Sequence, residues 1–209
     1  MVLLILGYHI KPKTKLCMVM KNKIEEIVQL LRVATQYMQP PLINAIITEY
    51  GHDAFLILIG CLLSLRSKDS TTIHVCRKLF DLAKTPEQLL KVPLPKLEKI
   101  IFKTVFYKNK AKTLHHVCHE LLDRFDGKVP ETFEELTSMN GVGLKTANLV
   151  LGMAFDKPAI CVDTHVHRIS NRLGLIKTKT AEETEAELKK ILQIAAKKPG
   201  LVGAGEQKK

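Results

Sequence analysis

The sequence predicts an all-α protein built from many short helices, and three observations carry that reading. No stretch alternates apolar and polar residues at period two, apolar positions recur instead at helical spacing, and Pro, Gly, Asp and Thr punctuate those runs where helices start and stop. At 209 residues, 46% of them hydrophobic, the chain has enough apolar surface for one large domain or two small ones.

In order along the chain, Ile24, Ile27, Leu30 and Leu31 begin an amphipathic helix that Gln39-Pro40-Pro41 stops, because proline lacks a donor and clashes with the preceding turn. Residues 54–64, AFLILIGCLLS, are almost wholly apolar, which at this length reads as a buried core helix rather than a membrane span. Asp69 is placed to cap a helix reaching about Leu82. Thr85-Pro86-Glu87-Gln88 opens the next, with proline in the first turn and a T-x-x-Q capping box. Pro93 and Pro95 separate it from KLEKIIF, a longer helix runs from about Asn109 to Phe125, and DGKVPETFEELTSM gives a turn, a proline and a short helix. NGVG is then a tight turn, LKTANLVLGMAF a helix and DKP a second turn. Asp163-Thr164 opens a further helix with Val166, Ile169 and Leu173 on one face, Arg168 and Arg172 off it, and Gly174 at its end.

Charge narrows the partner. The 32 Lys and Arg against 21 Asp and Glu give a net charge of +11. The cations cluster: residues 99–114 hold Lys99, Lys103, Lys108, Lys110 and Lys112 without an acid, and residues 157–179 hold five Lys or Arg against Asp163 alone. A polyanion such as nucleic acid fits that pattern, with an anionic membrane or a plain solvated surface as the competing readings. The five cysteines, Cys17, Cys61, Cys76, Cys118 and Cys161, are odd in number and set among apolar neighbours, as expected of reduced thiols in an intracellular protein. No C-x-x-C pair offers a zinc or iron–sulfur ligand set. The opening MVLLILGY is too short to span a bilayer, and residues 1–24 are basic but lack arginine, which argues against an organellar presequence. Met18 and Met20 stand as alternative starts.

Chemistry concentrates in residues 139–168, MNGVGLKTANLVLGMAFDKPAICVDTHVHR. TFEELTSM, NGVG and LKTANLVLGMAF form a helix–hairpin–helix unit, in which Gly141 and Gly143 permit positive φ and let a phosphate approach the amides that open the second helix. A nucleotide-binding G-x-x-x-x-G-K-[ST] loop is excluded, since Leu144 stands where its second glycine belongs. Lys145 is a cation at a helix end that prefers anions; its charged form is disfavoured there, and only a neutral amine attacks carbon. Asp163 is first of all an N-cap. Two other clusters resemble metal sites only superficially: His115, Cys118 and His119 read as a half-exposed helix face, and Asp163, His165 and His167 alternate on a helix and so diverge.

The segments GVGLKTANLVL and VDTHVHRISNRLGL, with LLSLRSKD, YKNKA and G-x-VP before them, resemble the helix–hairpin–helix DNA glycosylase superfamily, specifically endonuclease III, from about Phe55 to Leu192. The resemblance implies a DNA glycosylase fold of two helical subdomains with a DNA cleft between them. Residues 47–157 would form a six-helix barrel-like domain carrying the hairpin, residues 23–46 and 158–209 a second helical domain, and residues 1–22 an extension without a family counterpart. It implies base excision repair with AP lyase activity on oxidised pyrimidines in duplex DNA. Lys145 would attack C1′ of a flipped nucleoside, expel the base and form a Schiff base leading to β-elimination, with Asp163 as the family's catalytic aspartate. DNA contacts would come from Gly141, Val142, Gly143, Thr146 and His165, while Arg66 and Phe106 would enter the gap left by the flipped base; Val105 stands where that second segment usually has glycine. The family needs no catalytic metal.

The resemblance weakens towards the C-terminus. Relatives usually end with C-x6-C-x2-C-x5-C holding a [4Fe–4S] cluster, but no cysteine follows Cys161 here, so the iron–sulfur segment is read as missing, the cluster as absent and the second domain as shortened. Apolar faces around Leu173, Leu188, Ile191 and Leu192 are then expected to be partly exposed. The implied partner is double-stranded DNA carrying a damaged pyrimidine or an abasic site, met by a monomer in the cytoplasm or nucleoid, or in a nucleus or organelle, without a membrane. The alternatives are a shortened relative that binds DNA without efficient catalysis and a helical module for another polyanion.

Overall fold

The computed structural model describes residues 40–157 and 159–193, with side chains to residue 190, and scattered positions between 26 and 37. Residues 1–22 and most of the helix expected from Ile24 lie outside the described residues. Every regular element among the described residues is helical. They are α1 (Leu42–Tyr50), α2 (Ala54–Ser64), α3 (Asp69–Phe80), α4 (Pro86–Leu90), α5 (Leu94–Ile101), α6 (Tyr107–Phe125), α7 (Phe133–Ser138), α8 (Leu144–Ala154), α9 (Thr164–Arg172) and α10 (Ala181–Gln193). The chain divides into two units, Pro40–Lys157 and Met1–Gln39 with Pro158–Lys209. The division falls at Pro40 rather than residue 47, because Leu42, Ile43 and Ile46 of α1 are buried and α1 packs on α2 and α3.

In the unit 40–157, α2 is the core: every residue from Phe55 to Leu63 is buried, and α1, α3, α6 and α8 pack around it. Each buried Leu or Ile contributes about 1.5–3 kcal/mol, so tertiary burial adds to the helix propensity of this leucine-rich stretch. Asp53 caps it, its carboxylate accepting from the Leu56 N–H at 2.9 Å. Gly60 is where α1 crosses closest; a Cβ there would run into the Ile46 side chain. Two caps differ from the sequence reading. Lys68, not Asp69, takes the N-cap position of α3, and the Asp69 carboxylate instead accepts from the Leu42 N–H at 3.1 Å, stitching α3 to the start of α1. At α4, Thr85 Oγ1 accepts from the Gln88 N–H at 3.3 Å, while Gln88 Oε1 accepts from Lys84 rather than from the cap residue itself.

In the other unit, Asp163 caps α9 as expected, its Oδ1 accepting from the His165 and Val166 N–H groups at 2.9 Å each. Ile160 and Leu188 form a small apolar centre, with Val162, Val166 and Ile176 against it. Leu188 is 5% exposed, contrary to the exposed face expected there, because α10 turns it onto Ile160; Leu173 is half-buried, and the side chains of Ile191 and Leu192 lie outside the described residues. The face drawn through Val166, Ile169 and Leu173 is not uniformly inward, since Ile169 is exposed and Ser170 is the buried position.

Candidate functional site

The hairpin is held from below by α6 and α7. Thr132 caps α7, accepting from the Glu135 N–H at 3.3 Å, and Leu136, Met139 and Val142 plug apolar side chains inward. The turn closes with the Val142 N–H donating to Met139 O at 3.1 Å, and Glu120 of α6 accepts from the Asn140 N–H at 2.9 Å. With those legs fixed, Gly141, Gly143, Leu144 and Lys145 are exposed, and Lys145 stands in the first turn of α8. That helix has no side-chain N-cap, and its first backbone bond runs from Ala147 N–H to Gly143 O at 3.0 Å. The amides ahead of it therefore point out of the helix end, towards any anion that approaches.

The two glycines are not equivalent. Gly141 has φ +92° and its missing side chain faces Thr113, so both conformation and space require glycine. Gly143 has φ −85° and ψ 171°, an extended N-cap that any residue adopts, and a Cβ there would meet nothing within 4 Å. Positive φ is thus needed only at Gly141, and nothing inside the fold demands glycine at 143. Val142 and Thr146 are buried, at 4% and 3% exposure, so their side chains do not face a ligand and only their backbone is available. His165 is exposed on α9, with its Nδ1 3.2 Å from Arg168 Nη2.

Arg66 and Phe106 lie on separate turns of the unit 40–157 that come together, the Arg66 guanidinium 5.7 Å from the Phe106 ring centroid. Both side chains are exposed, and both backbones are left-handed, with φ of 57° and 59°. The left-handed residue of the second turn is Phe106; Val105 does not adopt positive φ. Beneath them lies Lys110, which the sequence offered only as one of a basic run. It is 8% exposed and donates to Leu63 O, Leu65 O and Ser67 Oγ. The sequence offered only a faint signal for it, the i, i+4 spacing from Lys110 to the fully buried Leu114, outweighed by the lysines around it.

The four described cysteines do not fit an iron–sulfur cluster. Cys61, Cys76, Cys118 and Cys161 are buried on separate segments, and burial pushes the Cys76 and Cys118 thiols up to about 12, away from the thiolate a cluster requires. Among the described residues no group of three His, Cys, Asp or Glu is arranged for a metal. The His115 Nε2–H donates to Val92 O at 3.1 Å, while His119 faces solvent, so the HHVCH helix face is an ordinary one. No helix among the described residues is long and apolar enough to cross a membrane.

Residues 59–193 match the model of the HhH-GPD superfamily of base excision DNA repair proteins. The chain belongs to that superfamily. It is similar to endonuclease III of Thermotoga maritima, at 46% identity over 140 residues, 67% of this chain and 66% of that protein. Among solved structures it is similar to a non-covalent endonuclease III–DNA complex, with a TM-score of 0.68 at 35% identity, covering 82% of this chain and 77% of that one. It also resembles a trapped endonuclease III–DNA covalent intermediate, with a TM-score of 0.67 at 34% identity over 82% and 78% of the two chains.

Proposed function

We propose that the chain is a base excision repair DNA glycosylase with AP lyase activity on oxidised pyrimidines in duplex DNA, working through Lys145 without an iron–sulfur cluster. The observation that carries this reading is the placement of Lys145: an exposed residue in the first turn of α8, whose opening amides no side chain caps. A phosphate seated on those amides brings the sugar chemistry of its strand to the same helix end without reading base identity. The neutral amine then attacks C1′; the new C–N bond forms as the glycosidic bond breaks, and the base departs with the electron pair and takes up a proton. The C1′–O4′ bond then breaks as the C1′=N double bond forms, O4′ leaving with the electron pair and taking up a proton. Loss of a C2′ proton from this Schiff base expels the 3′ phosphate. By the resemblance, Asp163 balances the positive charge that develops on the sugar and accepts the proton of Lys145. Arg66 and Phe106 fill the gap that the extruded nucleotide leaves, which offsets part of the cost of unstacking it. The trapped endonuclease III–DNA covalent intermediate among the similar structures supports a route through a covalent protein–DNA bond.

Borohydride reduction on a duplex carrying an oxidised pyrimidine or an abasic site tests it. Wild-type protein should become covalently linked, and Lys145→Gln should lose the adduct while still binding. An adduct of wild-type yield in the substituted protein removes Lys145 as nucleophile, and binding without any adduct in the wild type favours a DNA-binding relative without catalysis. Stoichiometric iron in a brown preparation would refute the cluster-free part.

A further inference from the structure

Among the described residues, Lys110 is the only buried lysine, arginine, aspartate or glutamate, and the reaction proposed above leaves it without a task. Its ammonium has three protons and donates all of them: to Leu63 O at 2.7 Å, to Leu65 O at 2.8 Å and to Ser67 Oγ at 2.9 Å. The first two acceptors are carbonyls at the C-terminal end of α2, which lack helical partners and lie at the negative end of its dipole. The third is shared, for Ser67 Oγ also accepts from the Val105 N–H at 3.0 Å. One ammonium in the first turn of α6 thus ties together residues 65–67 and residue 105. Those anchors bracket the two strained positions: Arg66 sits between Leu65 and Ser67, and Phe106 follows Val105 and is the N-cap of α6. Left-handed backbone at non-glycine residues persists only where the surroundings impose it, and these are the bonds that impose it.

A buried lysine whose pKa burial brings down to about 8 also invites a reading as a second amine nucleophile. Geometry rejects that. Its nitrogen is enclosed, and each proton already points at an oxygen of the protein, so no sugar carbon reaches it.

We propose that Lys110 is a positioning residue whose ammonium, acting directly and through Ser67, locks the Arg66 and Phe106 turns into one preformed wedge for base extrusion. This rests on the reading that those two side chains enter the duplex. A wedge assembled from two turns forty residues apart gains most from being ordered before DNA arrives, because the ordering entropy is then not deducted from the work of unstacking. The Arg66–Phe106 contact supplies the continuous exposed surface, and Lys110 fixes its base.

The experiment compares wild type, Lys110→Met and Ser67→Ala in the full chain, with two readouts. Hydrogen exchange at the Val105 amide reports the lock itself and needs no activity; Lys110→Met should accelerate it about tenfold or more relative to the core amides of α2. Turnover is then measured on an oxidised pyrimidine in a fully paired duplex, and borohydride trapping on an abasic site in single-stranded DNA, where nothing has to be extruded. Lys110→Met should lose up to about 10²-fold on the paired lesion and stay within about twofold on the single strand. Equal losses on both substrates, or unchanged exchange at Val105, overturn the proposal in favour of a purely structural lysine. Wild-type protein that traps neither substrate defeats the glycosylase reading instead, and Val105 exchange still decides the lock. Should Lys110→Met fail to fold, Ser67→Ala removes only the shared oxygen of a loop residue; the same split at smaller size supports the lock, and no split overturns it.

Discussion

In the unit 40–157 the centre is α2, an unbroken run of buried apolar residues from Phe55 to Leu63. The unit that holds α9 and α10 is centred on Ile160 and Leu188, beside a chain of polar contacts instead. His167 Nδ1 lies 2.6 Å from Thr184 Oγ1, which lies 2.5 Å from Thr178 Oγ1; Asn171 donates to that same hydroxyl at 3.0 Å and accepts from the Thr178 N–H at 2.8 Å. Thr184 is fully buried. An apolar core loses stability in proportion to what is removed, whereas a buried hydrogen-bonded chain is sound only while every member is satisfied. The difference also tracks chemistry. The larger unit carries the hairpin, Lys145 and the left-handed Arg66 and Phe106 turns on its apolar core, and the smaller one carries Asp163 as the cap of α9, the helix that supplies His167 and Asn171 to the polar chain.

The largest expected effect lies where that cap meets catalysis. Asp163→Asn should lower turnover by about 10²–10⁴-fold, the range of one acid–base group, while the melting temperature stays put because asparagine caps as well as aspartate. A fall in melting with unchanged turnover would return Asp163 to a purely capping role. Next come the two cores. Leu58→Ala, at a fully buried position of α2, should cost about 2–5 kcal/mol in denaturant unfolding. Thr184→Val keeps the volume but removes the hydroxyl that His167 and Thr178 share, leaving each only its contact with Asn171, and should cost about 1–3 kcal/mol, read as accelerated hydrogen exchange confined to α9 and α10. If the threonine variant were silent, the polar chain would not be what orders the smaller unit.

Lys110 gives the larger unit a pH signature. Burial lowers its pKa from 10.5 to about 8 in the folded chain, so between those values the unfolded chain holds more protons than the folded one. Its contribution therefore makes global stability rise with pH from about 8 to 10.5. Over the same range the ammonium surrenders one of its three donors, so the wedge should loosen while the fold as a whole gains. Lys110→Met should flatten the rise in stability; a slope identical to wild type would assign it to another group.

What the sequence made legible follows from where local rules act alone. The helix over 54–64, the Asp163 cap and the hairpin were readable because apolar runs, N-caps and Asn-Gly turns are decided within a few residues. Asp69 was misread as a cap because its carboxylate is recruited by α1, twenty-seven residues away. Leu188 was expected to be exposed because its partner Ile160 is distant in sequence. Lys110 was hidden for the same reason: its three acceptors lie on another helix end, and a lysine among lysines reads as surface.

The smallest effect expected is also the one that separates the needs of the fold from those of its ligand. Gly141→Ala places a side chain at φ +92° against Thr113, and the left-handed penalty of about 1–2 kcal/mol should appear in unfolding without any DNA present. Gly143→Ala sits in extended backbone with open space around its Cβ, where replacing glycine reduces the freedom of the unfolded chain. Its stability should therefore be unchanged or higher by about 0.4–1 kcal/mol. If a phosphate comes down onto the amides that open α8, the same methyl group should obstruct it, weakening binding to damaged and undamaged duplexes alike and leaving discrimination between them intact. Titration of both variants against one intact and one lesion-bearing duplex at two salt concentrations reads this directly. Gly143→Ala that binds both duplexes as wild type does would mean that the open space above residue 143 is not where the phosphate sits, and selective loss for the lesion would place that residue in recognition rather than in the backbone grip.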